Sequence, residues 1–428
     1  MKILYLTNLY PPHDADRSGS MCAEANRAMR ARGHQTLVLT SNHGVKEHSR
    51  PEGETGVRRN LRLNGFMEYR HRGIIALHRL ELRNNALLRE AITDFRPDVV
   101  HVFNLRGLSK SLALTLQRLD VPTVYSVSDH WIGRTLNADA WLDWWNRRPR
   151  NFPQRALRKA WTVTGCRRKW DRVAPTQHAK TLAFRRIYFA SEFLRNEAIE
   201  AGRDVAHGVI IHPGIDATLF AGPVAPREKP LCRLLYAGPL TEEHGVLTLL
   251  RAMTLLRDKF EGELTLCGSG KTEFEAQLHE LVLKEKLPVH FRTATPDQMP
   301  AVYREHDALI FPSKRDEPFA STPLEAMACG LPVVTTTTGA SAEFFTNRVN
   351  ALTFPPGQED ALAQQILWFQ GVPSMRETIA RRGQSDVRVR FGQAAVMNRI
   401  EAYLRETVGC WSRFSPDRTR LKAAALLP

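Results

Sequence analysis

Phe311-Pro-Ser-Lys-Arg-Asp-Glu317-Pro-Phe-Ala-Ser-Thr-Pro-Leu-Glu325-Ala-Met-Ala-Cys-Gly330-Leu-Pro332 is the stretch whose reading decides the fold. The apolar run Ala308–Phe311 is a buried strand that ends at Pro312. A polar loop carrying Glu317 follows. A helix is expected to open near Thr322, with Pro323 at its first position, where a missing N–H is no loss. Such a helix start leaves free N–H groups and the positive end of a dipole aimed out of the carboxyl edge of the sheet, an anion site for a phosphate or pyrophosphate. Glu317 and Glu325 stand eight residues apart, one in the loop before that start and one behind it, in position to flank a single bound nucleotide. Residue pattern leaves both glutamates a plainer role. Thr322 as N-cap with Glu325 three residues on is a capping box, and Glu317 is a solvated loop acid.

Strand, loop and helix alternate in the same way on both sides of this stretch. The first forty residues read as strand Lys2–Thr7, a helix from about Met21 to Arg32 closed by Gly33, and strand Thr36–Thr40, with further strands at Val99–Phe103, Thr123–Val127 and Ile187–Ala190 and a helix over Asn85–Phe95. Proline and glycine concentrate from His212 to Pro230 and mark a break. Beyond it strands are expected at Leu234–Ala237, Leu264–Cys267, Val289–Arg292, Ala308–Phe311 and Pro332–Thr335, with helices at Val246–Leu256, Thr272–Lys284, Pro323–Cys329 and Glu359–Phe369. This is the pattern of two doubly wound α/β domains with parallel sheets, whose ligands bind outside the carboxyl ends of the strands, in the cleft between the domains. The expected division is 1–216, with an insert at 131–186, a linker at 217–230, a second domain at 231–371, and a helical segment with a basic tail at 372–428.

A length of 428 residues suits two domains, and 43% apolar with 25% charged content is that of a soluble globular chain. Nothing has the length of a membrane span, and Ile3–Tyr10 is too short and polar for a signal peptide, so a cytoplasmic chain is expected. The six cysteines form no close pair and no metal-ligand spacing. A formal charge of +15 favours an anionic partner. Much of that excess sits between Trp131 and Arg186, where fourteen Lys/Arg face three Asp and six of the eight tryptophans lie. Two readings compete there: Trp141, Trp144 and Trp145, at helical spacing, pack the insert onto the sheet, or they sit at the headgroup level of an anionic membrane that the cations meet. No nucleic-acid motif is present.

Two motifs are decoys. Gly268-Ser-Gly-Lys-Thr272 lacks the upstream glycine of a P-loop, since Thr265 occupies that position. Asp14-Ala-Asp16 lies in the first loop, where acids are solvated, and no required metal is expected.

At Pro312-Ser313, Glu317-Pro-Phe319 and Leu324-Glu325-Ala-Met-Ala-Cys-Gly330-Leu-Pro-Val333 the sequence resembles glycosyltransferase family 4. Other pieces follow in family order: Asn8-Leu-Tyr-Pro-Pro12, Ala31-Arg-Gly-His34, Arg96-Pro-Asp-Val-Val-His101, His212-Pro-Gly-Ile-Asp216, Gly245-Val-Leu-Thr-Leu-Leu250, Gly268-Ser-Gly270 and Asn350-Ala-Leu-Thr-Phe-Pro-Pro-Gly357. The resemblance covers roughly residues 1–370. It implies the GT-B fold, two Rossmann-like domains facing across a cleft. It implies Glu317 near the donor sugar, Glu325 on the ribose hydroxyls, backbone N–H groups of Phe319 and Ala320 on the sugar, and those of Ser321 and Thr322 on the pyrophosphate. Gly268, Gly270 and Gly19 would let backbone approach the donor.

The departures are specific. Pro239 and His244 stand where the family usually places phosphate-binding Arg and Lys, and a His244 beside a diphosphate gains partial positive charge. Lys271, Lys314 and Arg315 are candidates to supply the missing charge. Ala320 replaces a usual glycine, at a cost of about 1 kcal/mol if the position needs positive φ. After Thr123–Val127 the family shows His-Asp, whereas this chain reads Ser128-Asp129-His130. In extended chain His130 would share a face with Ser128 and partly replace its missing side chain as a catalytic group.

The resemblance implies a retaining transferase that moves a sugar from a UDP- or GDP-linked donor, with no other cofactor. The acceptor would be a glycan or lipid-linked molecule in cell-surface polysaccharide or glycolipid synthesis, at the cytoplasmic membrane face. A nucleotide-sugar epimerase on the same fold and a non-catalytic membrane-associated relative are the alternatives.

Overall fold

The computed structural model describes residues 1–12, 17–43, 55–64, 73–149, 152–216, 218–222, 224 and 231–414. Asp14 and Asp16, most of the 217–230 linker and the basic tail beyond 414 lie outside those residues. The chain forms two compact units. The first comprises Met1–Ala190, Leu194–Ile211 and the chain from Met397 on, and the second comprises Ser191–Phe193 and His212–Val396.

In chain order the first part holds β1 (Lys2–Thr7), α1 (Ser18–Ala31), β2 (Gln35–Ser41), β3 (Val57–Leu61), α2 (Ile74–Phe95), β4 (Val99–Asn104), α3 (Ser111–Arg118), β5 (Thr123–Val127), α4 (Ala140–Asn146), α5 (Phe152–Val163), α6 (Cys166–Val173), β6 (Ile187–Phe189), α7 (Glu192–Glu200) and β7 (Val209–Ile210). The rest of the chain holds β8 (Arg233–Ala237), α8 (Val246–Leu255), β9 (Glu263–Cys267), α9 (Thr272–Glu285), β10 (Val289–Arg292), α10 (Met299–Glu305), β11 (Ala308–Phe311), α11 (Ser321–Ala328), β12 (Val333–Thr335), β13 (Leu352–Thr353), α12 (Glu359–Gly371), α13 (Pro373–Phe391) and α14 (Gln393–Phe414), the last belonging to the first unit from Met397 on.

Both sheets are parallel, in orders β3-β2-β1-β4-β5-β6-β7 and β10-β9-β8-β11-β12-β13. Apart from β7 this is one winding used twice. In each sheet the order reverses beside the first strand, at β1/β4 and at β8/β11, and loops leaving those neighbouring strands part to opposite faces. The central strands are mostly apolar on both faces because helices cover both: Ile3, Leu4, Val99, Val100 and Val124 are fully buried in one sheet, and Leu234, Leu264, Leu309 and Ile310 in the other. Among the described residues no helix is long and apolar enough to cross a membrane. All six cysteines are free.

The insert packs through its tryptophans. Trp131, Trp141 and Trp145 are buried. The ring of His78 on α2 is met edge-on by Trp141, Trp145, Trp161 and Trp170 at centroid distances of 4.7, 5.7, 4.6 and 4.6 Å. Large aromatic surface is worth more inside this box than at an interface, so the headgroup-level reading of Trp141 and Trp145 is corrected. Trp144 is half-buried against Trp161, at 6.1 Å.

Candidate functional site

The loops at the switch point of the second sheet are locked together by backbone. Gly245 precedes α8 with φ 76°, and a Cβ there would lie 1.9 Å from the Pro312 carbonyl oxygen. Only glycine combines that left-handed conformation with so close an approach. The Lys314 N–H donates to the Glu243 carbonyl at 2.9 Å, fixing the β11–α11 loop on the β8–α8 loop. On the far side, the Leu240 N–H donates to the Ser269 carbonyl at 2.8 Å. A Cβ on Gly268 would sit 1.9 Å from the Gly238 oxygen, and one on Gly270 would sit 2.1 Å from the Leu240 oxygen. The space these two glycines leave is therefore filled by the neighbouring loop, which by itself accounts for glycine at both positions.

Within this frame Glu317 is half-buried. Its Oε1 accepts from the Ser313 hydroxyl at 2.9 Å and stands 3.8 Å from His244 Nε2. Ser313 is held in turn by Thr336, whose hydroxyl donates to the Ser313 carbonyl at 2.7 Å. Gly339 lies against the Glu317 backbone, where a Cβ would come within 2.6 Å of its nitrogen, and Ala340 N–H donates to the Glu317 carbonyl at 2.8 Å. His244 Nδ1 is 2.6 Å from the Thr241 hydroxyl. Burial pushes the His244 pKa down, and the Glu317 carboxylate opposes that only in part. The imidazole thus sits neutral at physiological pH without a ligand, ready to gain charge beside an anion. Lys314 and Arg315 are exposed, and Lys314 pairs with Glu242 at 3.6 Å.

The helix after this loop starts earlier than its sequence pattern suggests. α11 begins at Ser321, with Ala320 in the cap position and no side-chain cap bond. Pro323 is thus its third residue, not its first, and Thr322 is not the N-cap. That moves Glu325 to the fifth helical position, beyond reach of the cap backbone, so the capping-box reading fails. The Glu325 carboxylate instead accepts from the Tyr303 hydroxyl of α10 at 3.2 Å. Burial and the Glu325 charge hold Tyr303 in its protonated, donating form. Ala320 has φ −85°, so alanine carries no left-handed strain there. Phe319 turns its ring into an aromatic group with His212, Phe344 and Phe391, at 6.4, 5.3 and 6.2 Å, so its side chain anchors the loop whose N–H groups precede α11.

In the first unit the switch-point residues are polar and buried. Asn104, at the end of β4, donates to Asp129 Oδ2 at 2.9 Å and to the Ser18 hydroxyl at 3.2 Å, and Ser18 lies 3.3 Å from the Ser128 hydroxyl. Burial pushes the Asp129 pKa up against the hydrogen bonds from Asn104 and the Trp131 N–H. Gly19 is buried in the first turn of α1, between Ser18 and the half-buried Ser20. His130 lies near enough to Asp129 for its charge to act on that carboxyl, but its ring nitrogen turns to another partner. The chain turns after β5 instead of continuing extended, so Ser128 and His130 part. His130 Nδ1 pairs with Glu197 Oε2 at 2.8 Å, and Glu197 also holds Arg134 at 2.6 Å. The expectation that His130 shares a face with Ser128 is corrected, because the two-residue face rule needs extended backbone, and its Nδ1 meets the Glu197 carboxylate of α7.

Sequence reasoning passed over Tyr303 and Asn104, and it quoted Ser313 and Asp129 without giving either a role. A signal existed for Asn104, a polar residue closing an otherwise apolar central strand. Tyr303 had none, since it reaches Glu325 from another helix. Among the described residues no group of three or more His, Cys, Asp or Glu is placed to hold a metal ion.

Residues 224–386 match the family described as Glycosyl transferases group 1, and residues 19–214 match Glycosyl transferase 4-like domain. Glycogen synthase of Mycobacterium tuberculosis is 26% identical over 401 residues, covering 89% of each chain. An uncharacterized glycosyltransferase of Methanocaldococcus jannaschii is 30% identical over 156 residues, which span 36% of this chain and 40% of that protein. A D-inositol 3-phosphate glycosyltransferase of Arthrobacter is 29% identical over 163 residues, 35% of this chain and 38% of the other. Among solved structures, Anabaena HepE in complex with UDP superposes with TM-score 0.68 at 19% identity, over 95% of this chain and all of the other. A glycosyltransferase of Rickettsia africae gives 0.69 at 16% identity, over 95% and 99%. At these identities the likeness shows the fold, GT-B.

Proposed function

The chain belongs to the family 4 type of glycosyltransferase, in the GT-B fold, and from that premise we propose that it transfers a sugar from a nucleoside-diphosphate donor held by the second unit. The observation that carries this reading is the start of α11. It follows a loop bolted to two neighbouring loops and has no side-chain cap, with the Ser321 N–H resting on the Phe319 carbonyl at 3.1 Å until an anion takes it; Glu317 stands before it and Glu325 behind it, each carboxylate already oriented by a hydroxyl.

In this reading the N–H groups of Ser321 and Thr322 take the diphosphate, and those of Phe319 and Ala320 face the sugar. Charge develops on the departing phosphate, and preorganised donors stabilise it without reorganising during the step. Glu325 accepts from the ribose hydroxyls, with Tyr303 fixing its rotamer. Glu317 orients the sugar, and His244 takes up part of the charge that Pro239 and His244 no longer supply as fixed cations. Gly268 and Gly270 seat the β9–α9 loop against the β8–α8 loop of the second unit, and Gly19 opens α1 at the first unit's own switch point. The HepE structure contains UDP, which supports a nucleoside diphosphate as leaving group here. The donor needs no further cofactor, and transfer proceeds with retention. A glycan or lipid-linked acceptor at the cytoplasmic membrane face, for cell-surface polysaccharide or glycolipid, fits the basic first unit.

A panel of UDP- and GDP-sugars scored by thermal stabilisation tests the proposal. A donor at a hundred times its Kd should add about 2.7 kcal/mol of stability. Labelled donor without acceptor should show at most slow hydrolysis. Conversion of the sugar in that tube would mean epimerisation, and no stabilisation by any nucleotide would refute the donor site.

A further inference from the structure

The charge of the insert is split by the fold into two populations. Arg158 turns inward, donating to the carbonyls of Trp145 and Arg147 at 2.9 and 2.7 Å, and Arg167 lies over the Trp145 ring at 5.3 Å. Arg155 and Lys159 on α5, and Arg168, Lys169 and Arg172 on α6, are exposed. Among the described residues none of these five makes an ion pair, so their charge stands uncompensated.

The apolar residues of α5 divide in the same way. Trp161 meets His78, and the half-buried Leu157, four residues earlier, shares its face of the helix. On the opposite side Phe152, Ala156 and Val163, at spacings of four and seven, fall on one solvent-facing stripe with Lys159. Phe152 is 79% exposed and Val163 is 77% exposed. An outward apolar stripe edged by unpaired cations is the pattern of a helix that lies in the plane of an interface. A nucleic acid would ask for cations with stacking aromatics, and here the other side chains of the stripe are aliphatic.

We propose that the outer faces of α5 and α6 rest on an anionic bilayer, with Phe152 and Val163 entering the acyl boundary and Arg155, Lys159, Arg168, Lys169 and Arg172 meeting the headgroups. The tryptophans form the rigid base that presents this surface. The inference does not depend on the transfer reaction, so vesicle binding and donor binding can fail separately.

The test is co-sedimentation of the full chain with vesicles of phosphatidylglycerol and phosphatidylcholine, against phosphatidylcholine alone. Binding should require the anionic lipid and fall steeply in 0.5 M salt. Each Lys or Arg near such a surface contributes about 1 kcal/mol, a factor of about five, so the triple variant Arg168→Gln/Lys169→Gln/Arg172→Gln should bind roughly a hundredfold more weakly. Phe152→Asp should lose about tenfold or more. Arg381→Gln/Arg382→Gln, which removes ion-paired cations of α13, should bind as the parent does. A Phe152→Trp variant should show new emission quenched by acyl-brominated lipid. All altered positions are exposed, and an unchanged melting temperature checks folding. The proposal is overturned if the parent stays in the supernatant at low salt, if the triple variant binds undiminished, or if the new tryptophan is not quenched. Retention on RNA without vesicle binding, or self-association abolished by Phe152→Asp, would also overturn it.

Discussion

Substituting alanine for Gly245 should unlatch the loops that frame the candidate donor site. The residue holds φ 76°, which costs a side-chain-bearing residue about 1–2 kcal/mol. Its new Cβ would also start 1.9 Å from the Pro312 oxygen, a backbone atom that cannot rotate away. Relief requires the head of α8 and the end of β11 to separate by about 1 Å, and overpacking of that kind typically costs about 1–3 kcal/mol. The sum is roughly 2–5 kcal/mol, or about 5–15 °C in melting temperature for a unit of this size. The same movement pulls the Glu243 carbonyl from the Lys314 N–H and His244 from Glu317, so nucleotide affinity should fall more than stability alone explains. Calorimetric melting with and without UDP reads both quantities. Gly371→Ala is the control, because nothing lies within 4 Å of its Cβ and it closes α12 without positive φ, so it should be neutral or slightly stabilising. If Gly245→Ala melts within about 2 °C of the parent and binds UDP normally, the loops are not latched as described and the reasoning fails.

Further outcomes follow from other contacts. His101 is buried in β4 with Nε2 2.9 Å from the Tyr188 hydroxyl, and burial holds its pKa down at about 3. The unfolded chain protonates it near 6.5, so the unfolded state binds the extra proton between those values and stability falls as pH drops through that window, by about 1.4 kcal/mol per pH unit at most. Urea denaturation at pH 7 and pH 5 should therefore show a smaller acid loss in His101→Gln than in the parent, and an equal loss would refute it. Glu325→Gln should weaken nucleotide binding by about 10- to 100-fold, as for a charged hydrogen bond, with little change in melting; a drop in stability with intact affinity would assign Glu325 a structural role. Ala320→Gly should cost up to about 1 kcal/mol in thermal unfolding instead of relieving strain, since φ is already −85°. His130→Gln should reduce melting temperature through loss of the Glu197 pair, and a collapse of turnover at unchanged stability would give it a catalytic role.

Much of the site was legible because its ingredients are local. Glu317, Glu325 and the strand–loop–helix around them lie within one short segment, and the apolar runs of Thr123–Val127, Val289–Arg292 and Ala308–Phe311 fall on observed strands. The helix boundary was misjudged by two residues, which moved Glu325 out of the cap, and Tyr303 from another helix then meets it. The shared face expected for Ser128 and His130 failed because it depended on the chain staying extended past Val127, where a turn begins. The strands β3, β7 and β13 went unread because they are sheet edges without a continuous apolar run: Val57–Leu61 is polar at its centre, and β7 and β13 have two residues each.

Composition and order of segments by themselves determined two parallel α/β units, a strand–loop–helix after Ala308 that carries Glu317 and Glu325, and a concentration of cations between Trp131 and Arg186, because hydrophobic period, proline and charge act over a few neighbouring residues. Only tertiary structure decided that Gly268 and Gly270 make room for a neighbouring loop, that Tyr303 meets Glu325, and that four tryptophans close on His78 while Phe152 and Val163 face outward. Those outcomes depend on which surfaces meet across distances of tens of residues, and no local pattern encodes the partner on the other side.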